Sequence, residues 1–347
     1  MKFALGFGVA MAAPDERIGR LVEDRYKILH SMASGSMGAV YKAERVPVGK
    51  LVAIKFLHAS FANDSEFLIR FERETQVMSR LTHPNCVSVV DFGVWEGSPY
   101  LVMDFVSGRT LRSIIDDGPI EIPRALLLGR HIAAGLAHAH THEVVHRDVK
   151  PANIMVSDEI GTGERVRVLD FGLARLRGAG GRDATQSNVV VGTPNYMAPE
   201  QTVGGGLVDA RTDVYATGVV LFEMIAGEKP FQAEETMQLL GMHRGAPIPR
   251  LADRMPPGVE IPPGVQEVID TAMAKRPEDR FQTAVELADA LGAVIEALAG
   301  ARPIGELRIP VSAAVKTTMK STGAGAIAPT MLDIGSQTTA TPVTPAP

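Results

Sequence analysis

The sequence predicts an α+β fold of two unequal lobes, a small β-rich lobe followed by a larger, mainly helical one. Three observations predict it. Between Tyr26 and Phe105 short β-prone runs alternate with Gly, Pro and charged residues, broken by one segment of helical period. After Gly108 the apolar residues recur at helical spacing for most of the next two hundred positions. The composition, 45% hydrophobic and 22% charged over 347 residues, is that of a globular chain with a sizeable core.

The strands expected in the first lobe are Tyr26 to Met32, Ala39 to Glu44, Leu51 to Leu57, Val87 to Trp95 and Tyr100 to Phe105. A Glu96-Gly97-Ser98-Pro99 turn separates the last two. The helical interruption is Ser65 to Leu81, where Phe67, Leu68, Phe71, Val77, Met78 and Leu81 share a face and Asp64 or Ser65 caps the start. Helices are expected over Arg124 to His142, Asp213 to Ala226, Glu234 to His243, Val265 to Ala274 and Thr283 to Leu298. From residue 301 to 347 the composition turns to Thr, Ala, Pro, Gly and Ser without aromatics, too little apolar surface to fold alone. The expected organisation is an N-terminal extension at 1–22, a folded domain at 23–300 divided at 105/106, and a disordered tail at 301–347.

Charge and cysteine usage exclude several classes. Thirty-five Lys and Arg against 40 Asp and Glu give a net charge of −5, without the basic excess of a nucleic-acid binder. The single cysteine, Cys86, forms no internal disulfide and no cysteine zinc cluster, and reads as a small apolar filler. No run of about 20 apolar residues predicts a membrane span. Residues 1–13 have the outline of a weak secretory signal; an early start codon ahead of Met11, or a short extension, is the preferred reading. The expected location is the cytoplasm.

Three motifs carry chemistry. Ala33-Ser34-Gly35-Ser36-Met37-Gly38-Ala39-Val40 lies between two strand candidates, where glycines let a hairpin pass close over a polyphosphate and offer it backbone N–H groups. Val52-Ala53-Ile54-Lys55 ends an apolar strand in a lysine that Glu74, on the following helix, can hold toward phosphate oxygens. His146-Arg147-Asp148-Val149-Lys150-Pro151-Ala152-Asn153, followed by Asp170-Phe171-Gly172, joins three oxygen-bearing side chains to one cation. Phosphoryl transfer needs such a set: a carboxylate to orient a hydroxyl, oxygen ligands for magnesium, and positive charge on the phosphates. Each motif alone is weak; their joint order is not.

With Ala198-Pro199-Glu200 completing the series, the chain resembles a Hanks-type (eukaryotic-like) Ser/Thr protein kinase catalytic domain of the bacterial branch, from about Tyr26 to Leu298. The resemblance implies a bilobal protein-kinase fold and transfer of the γ-phosphoryl group of ATP, with Mg2+ or Mn2+, to Ser/Thr hydroxyls of protein substrates. It implies that Lys55, paired with Glu74, holds the α- and β-phosphates, that Asp148 is the base and that Lys150 contacts the γ-phosphate. Asn153 and Asp170 become metal ligands. Ala33, Gly35 and Gly38 form the phosphate loop; Val40, Ala53 and Met155 enclose adenine; Met103 is the gatekeeper, and Asp104 to Val106 the hinge. Glu200 is expected to pair with Arg280 in a buried salt bridge, and Asp213 to anchor the catalytic loop. One departure stands: Ala33 replaces the first loop glycine, which tunes loop mobility rather than abolishing binding.

Arg147 beside Asp148 implies an activation segment ordered by phosphorylation, with Thr185 and Ser187 as candidate sites and Thr193 shaping the substrate pocket. Thr330-Met331-Leu332-Asp333 fits a phosphothreonine-reading partner domain, although a plain linker is the simpler reading. A homodimer through the N-lobe is a family possibility. A nucleotide-binding pseudokinase scaffold is the alternative function, disfavoured because Lys55, Asp148 and Asp170 are all present; a small-molecule phosphotransferase is disfavoured by Ala-Pro-Glu and Gly192-Thr193-Pro194. The histidines at 138, 140, 142 and 146 suggest a metal cluster only superficially, since the family places them where a helix runs into the catalytic loop, with His146 packed on Phe171.

Overall fold

The computed structural model describes residues 15–35, 37–161, 163–171, 194–203, 206–256 and 258–300. All of them belong to one unit, within Met1–Arg302. Thr185, Ser187, Thr193 and the tail threonines lie outside the described residues.

The first lobe is a six-stranded antiparallel sheet in the order β1-β2-β3-β4-β6-β5, built from β1 (Leu21–Val22), β2 (Tyr26–Gly35), β3 (Gly38–Arg45), β4 (Lys50–Leu57), β5 (Val89–Trp95) and β6 (Ser98–Asp104). Alternation along each strand gives the sheet two apolar faces. Tyr41, Val52, Ile54, Phe56, Tyr100 and Val102 fill the outer face, and Leu57, Leu101 and Met103 join the main core on the inner one. Helix α1 (Ser65–Met78) packs there with Phe67, Phe71, Thr75 and Met78 buried at helical spacing. Its start is fixed by Asp64, whose side chain accepts from Phe67 N at 3.0 Å.

Residues 15–22, expected in an extension outside the domain, belong to this lobe. Strand β1 pairs with β2, and Tyr41 Oη donates to Asp15 Oδ2 at 2.5 Å. The Arg17 guanidinium lies 4.7 Å from the Phe56 ring centroid and that of Arg20 4.6 Å from Trp95. A polar segment with a two-residue strand has no periodicity to read, so only its aromatic and carboxylate partners reveal it. The β5–β6 turn is also shorter than expected. Glu96 and Gly97 alone make it, at φ 49° and 72°, and Ser98 and Pro99 already belong to β6.

The second lobe contains β7 (Arg109–Thr110), α2 (Leu111–Asp116), α3 (Ile122–Thr141), the hairpin β8 (Ile154–Glu159) and β9 (Gly163–Val168), then α4 (Ala210–Ala226), α5 (Thr236–Gly245), α6 (Val265–Ala272) and α7 (Ala284–Gly300). The β7–β9 sheet and α2 are additions to the expected helical series. Charged residues interrupt the buried Ile154, Val156, Val166 and Val168 of the hairpin, which leaves too short a pattern for either period. Helix α4 is buried on every side from Thr212 to Ala226, starts at the Asp209 cap and stops at Gly227, φ 73°. It is the central member of the lobe, with α3, α6 and α7 packed on it. Among the described residues no helix is long and apolar enough to cross a membrane.

Two glycines of the β2–β3 hairpin make opposite demands. Gly38 has φ +144°, and a Cβ there would lie 1.8 Å from the Phe56 carbonyl oxygen; Gly35 has open space around it. Gly38→Ala is therefore expected to destabilise the chain by about 2 kcal/mol or more, and Gly35→Ala by under about 0.5 kcal/mol, in thermal denaturation.

Candidate active site

The inner face of the sheet gathers most of the residues that the sequence marks for nucleotide. In the β3–β4 register Val40 stands opposite Lys55, and in the β4–β6 register Ala53 stands opposite Met103. Antiparallel partners share a face, and Ala53 is two residues from Lys55, so all four project to one side. Asp104, Phe105 and Val106 leave the end of β6 as the connection between lobes, and Met155 lies half-buried in β8 of the second lobe. Above, β2 and β3 turn between Gly35 and Gly38, with exposed Ala33 of β2 paired to Val40 of β3. The turn's Met37 is tucked into the core and its carbonyl accepts from His58 N at 3.0 Å, a contact the sequence motif does not announce.

Lys55 is buried, and its Nζ donates to Asp170 Oδ2 at 2.5 Å, joining β4 of the first lobe to a residue two positions past the end of β9. Glu74, expected beside Lys55, lies half-buried on α1. Asp170 has φ 58°, a left-handed value that aspartate tolerates better than most residues. Phe171 turns into the core behind it, with Met78, Leu101 and Met103 around a cavity of about 10 Å3.

Below this pair is a second cluster. Lys150 Nζ donates to Asp148 Oδ2 at 2.6 Å, and Asn153 Nδ2 donates to the Asp148 carbonyl at 2.9 Å and to Oδ2 at 3.3 Å. Leu169 N donates to the Asn153 carbonyl at 2.8 Å, which ties the two clusters together. Asp148, Lys150, Asn153, Asp170 and Lys55 are thus brought to one cleft between the lobes.

What holds the second cluster is buried. The Asp213 carboxylate, at the start of α4, accepts from Arg147 N through Oδ1 and from His146 N through Oδ2, each at 2.8 Å, and His140 Nε2 lies 2.8 Å from Oδ2. Burial pushes Asp213 up, but His140, His146 and the backbone donors outweigh it and hold the carboxyl below its ordinary range. His146 Nδ1 accepts from Asp148 N at 3.3 Å, so its Nε2 carries the proton and donates to the Leu169 carbonyl at 2.7 Å. Its ring meets Phe171 edge-on at 5.0 Å, as the sequence suggests. His140 and Gln201, which enters from the segment after Ala-Pro-Glu, had no motif to expose them.

The expected salt bridge at Glu200 forms. Arg280 Nη1 and Nη2 donate to its two oxygens at 2.9 and 2.8 Å, and Thr212 Oγ1 adds a third bond at 2.7 Å. Arg280 also reaches the carbonyls of Ala274, Arg211 and Lys275. Cys86 is buried, and that burial pushes its thiol up to about 12, leaving an inert filler. Among the described residues no three His, Cys, Asp or Glu side chains group as a metal site.

Comparison with known proteins accords with this architecture. Residues 26–290 match the protein kinase domain family. The serine/threonine-protein kinase PrkC of Bacillus subtilis is 40% identical over 271 residues, which cover 78% of this chain and 40% of that protein. The serine/threonine-protein kinase pkn2 of Myxococcus xanthus is 38% identical over 295 residues, 84% of this chain and 35% of that one. PknB of Mycobacterium tuberculosis is 39% identical over 272 residues, 77% and 42% respectively. The crystal structure of the Mycobacterium tuberculosis PknI kinase domain superposes with a TM-score of 0.60 at 27% identity, covering 82% of this chain and all of that one. The chain belongs to the protein kinase family, has its bilobal fold, and groups with the bacterial Hanks-type members. It spans about two fifths of the length of these curated relatives.

The Glu200–Arg280 pair makes stability depend on pH with a definite sign. Burial pushes Glu200 up, the Arg280 bonds outweigh it, and the net shift is downward from 4.5. A depressed carboxyl stabilises the fold above its unfolded value, and the contribution is lost as pH falls through its folded value. Urea denaturation should therefore show this contribution disappearing below about pH 4.5. Arg280→Met should cost about 3–5 kcal/mol at pH 7 by stranding Glu200, and should weaken or reverse that acid slope.

Proposed function

We propose that the chain is a Ser/Thr protein kinase that transfers the γ-phosphoryl group of ATP to Ser or Thr hydroxyls of proteins, its own activation segment among them. The observation that carries the reading is the convergence of Lys55, Asp148, Lys150, Asn153 and Asp170 in one cleft. Pseudokinases generally lose one of these positions.

Little covalent chemistry is asked of such a site; positioning and charge do most of the work. Val40, Ala53, Met103 and Met155 offer an apolar slot for adenine, and the Asp104 to Val106 backbone offers its hydrogen-bonding edge. Gly35 and Gly38 keep the loop low enough for backbone N–H groups to meet phosphates. Lys55, now on Asp170, has the reach and charge for the α- and β-phosphate oxygens, and Glu74 supports it from α1. Asp148 orients the acceptor hydroxyl and takes its proton. Lys150, held on that carboxylate, carries positive charge for the γ-phosphate.

The hard oxygens of Asp170 and Asn153 fit magnesium, and manganese by the same chemistry. Asn153 spends its amide nitrogen on Asp148, which leaves its Oδ1 as a ligand. Magnesium bound there neutralises phosphate charge. Arg147 supplies a cation for a phosphorylated activation segment, with Thr185 and Ser187 as sites and Thr193 at the acceptor pocket. Protein substrates are the proposed partners; an N-lobe homodimer and a phosphothreonine-reading domain on the tail are secondary proposals. The need for ATP supports a cytoplasmic location.

Transfer of labelled γ-phosphate from Mg-ATP to the chain and to a generic protein substrate tests the reading. Asp148→Asn should lower turnover about 10²–10⁴-fold with nucleotide affinity unchanged, and Lys55→Met should also cripple turnover. Wild-type turnover in Asp148→Asn would remove Asp148 as the base. ATP binding with no transfer, even after treatment with an activating kinase, would overturn the enzyme reading in favour of a scaffold.

A further inference from the structure

Gln201 follows Ala198-Pro199-Glu200 and belongs to none of the motifs that mark the site. Both ends of its amide are engaged. Oε1 accepts from Ala198 N at 2.9 Å, within its own segment, and Nε2 donates across to the Arg147 carbonyl at 3.0 Å. That carbonyl belongs to the peptide joining Arg147 to Asp148. The N–H of the same peptide, Asp148 N, donates to His146 Nδ1. Arg147 itself has φ 66° and gives its own N–H to Asp213 Oδ1. A left-handed, non-glycine residue directly before Asp148 persists only where its surroundings over-determine it. Gln201 holds the oxygen side of that peptide, and His146 holds the nitrogen side.

We propose that Gln201 is a positioning residue for Asp148, bridging the segment that carries Ala198-Pro199-Glu200 to the catalytic loop. The chemistry of the position calls for a primary amide. One end must accept from an N–H and the other must donate to a C=O, at fixed separation, and at neutral pH, where a glutamate of the same length is an ionised acceptor only, the amide alone does both. Because the bridge joins two elements, a shift of the 198–201 turn is transmitted to the Arg147–Asp148 peptide. The proposal rests on the reading of Asp148 as the base.

The variants are Q201A, which removes both bonds, and Q201E, which keeps the acceptor and sets a carboxylate oxygen against the Arg147 carbonyl. On the full chain with Mg-ATP and a protein substrate, both should lose about ten-fold or more in kcat, while KM for ATP and nucleotide affinity stay within about two-fold. In Q201E the loss should shrink as pH falls from about 8 to about 5, because a protonated carboxyl regains a donor for the carbonyl. The ratio of Q201A to wild type should stay flat over the same range. Amide hydrogen exchange across 146–149 should quicken in Q201A. Wild-type kcat in Q201A, or parallel pH profiles for the two variants, would overturn the proposal. Should the wild type itself transfer no phosphate, the enzyme reading fails separately, and unchanged exchange in Q201A would then overturn the bridge.

Discussion

Asp213 keeps a negative charge where water does not reach, and the arrangement of residues 146–148 follows from how that charge is satisfied. Removing a carboxylate from water costs several kcal/mol unless donors replace its hydration. Here two backbone N–H groups and the His140 imidazole converge on it. Because α4 is enclosed by the rest of the lobe, the carboxylate has little freedom to follow the loop; the loop must come to it. Arg147 is thereby drawn into a left-handed conformation, and Asp148 is presented to the cleft.

From this point contacts run outward in two directions. His146 connects the loop to the Leu169 carbonyl and the Phe171 ring, and so to the residue that meets Lys55 across the cleft. Gln201 connects it to the segment whose Glu200 is clamped by Arg280 beneath the same central helix. Opposite charges in the cleft are already paired, Lys55 with Asp170 and Lys150 with Asp148. Neither cation waits as an isolated buried charge, which would be costly, and both lie where phosphate oxygens could compete for them.

Much of this was legible in the residue order. Strands β2 to β6 announce themselves as β-prone runs bounded by Gly, Pro and charged residues, β4 and β6 being apolar on both faces, and helix α1 by a buried stripe at helical spacing. The motifs around Lys55, Asp148 and Asp170 are legible because phosphoryl transfer restricts the residue types that serve it. The segment at 15–22, short and polar, and the hairpin at 154–168, whose few buried apolar residues are interrupted by charge, were not: they owe their conformation to partners distant in sequence, such as Phe56, Trp95 and Val87.

The sequence by itself determined the two-lobe division and the residue types available for phosphate and metal, since each leaves a local or motif-length trace, while the Glu200–Arg280 pair, 80 residues apart, came only from the family resemblance. Tertiary structure alone decided that Lys55 meets Asp170, that Met37 folds into the core, and that His140 and Gln201 close on the catalytic loop. Each of those contacts depends on an angle between elements. Such angles are set by the packing of whole faces against one another, and no short stretch of residues records them.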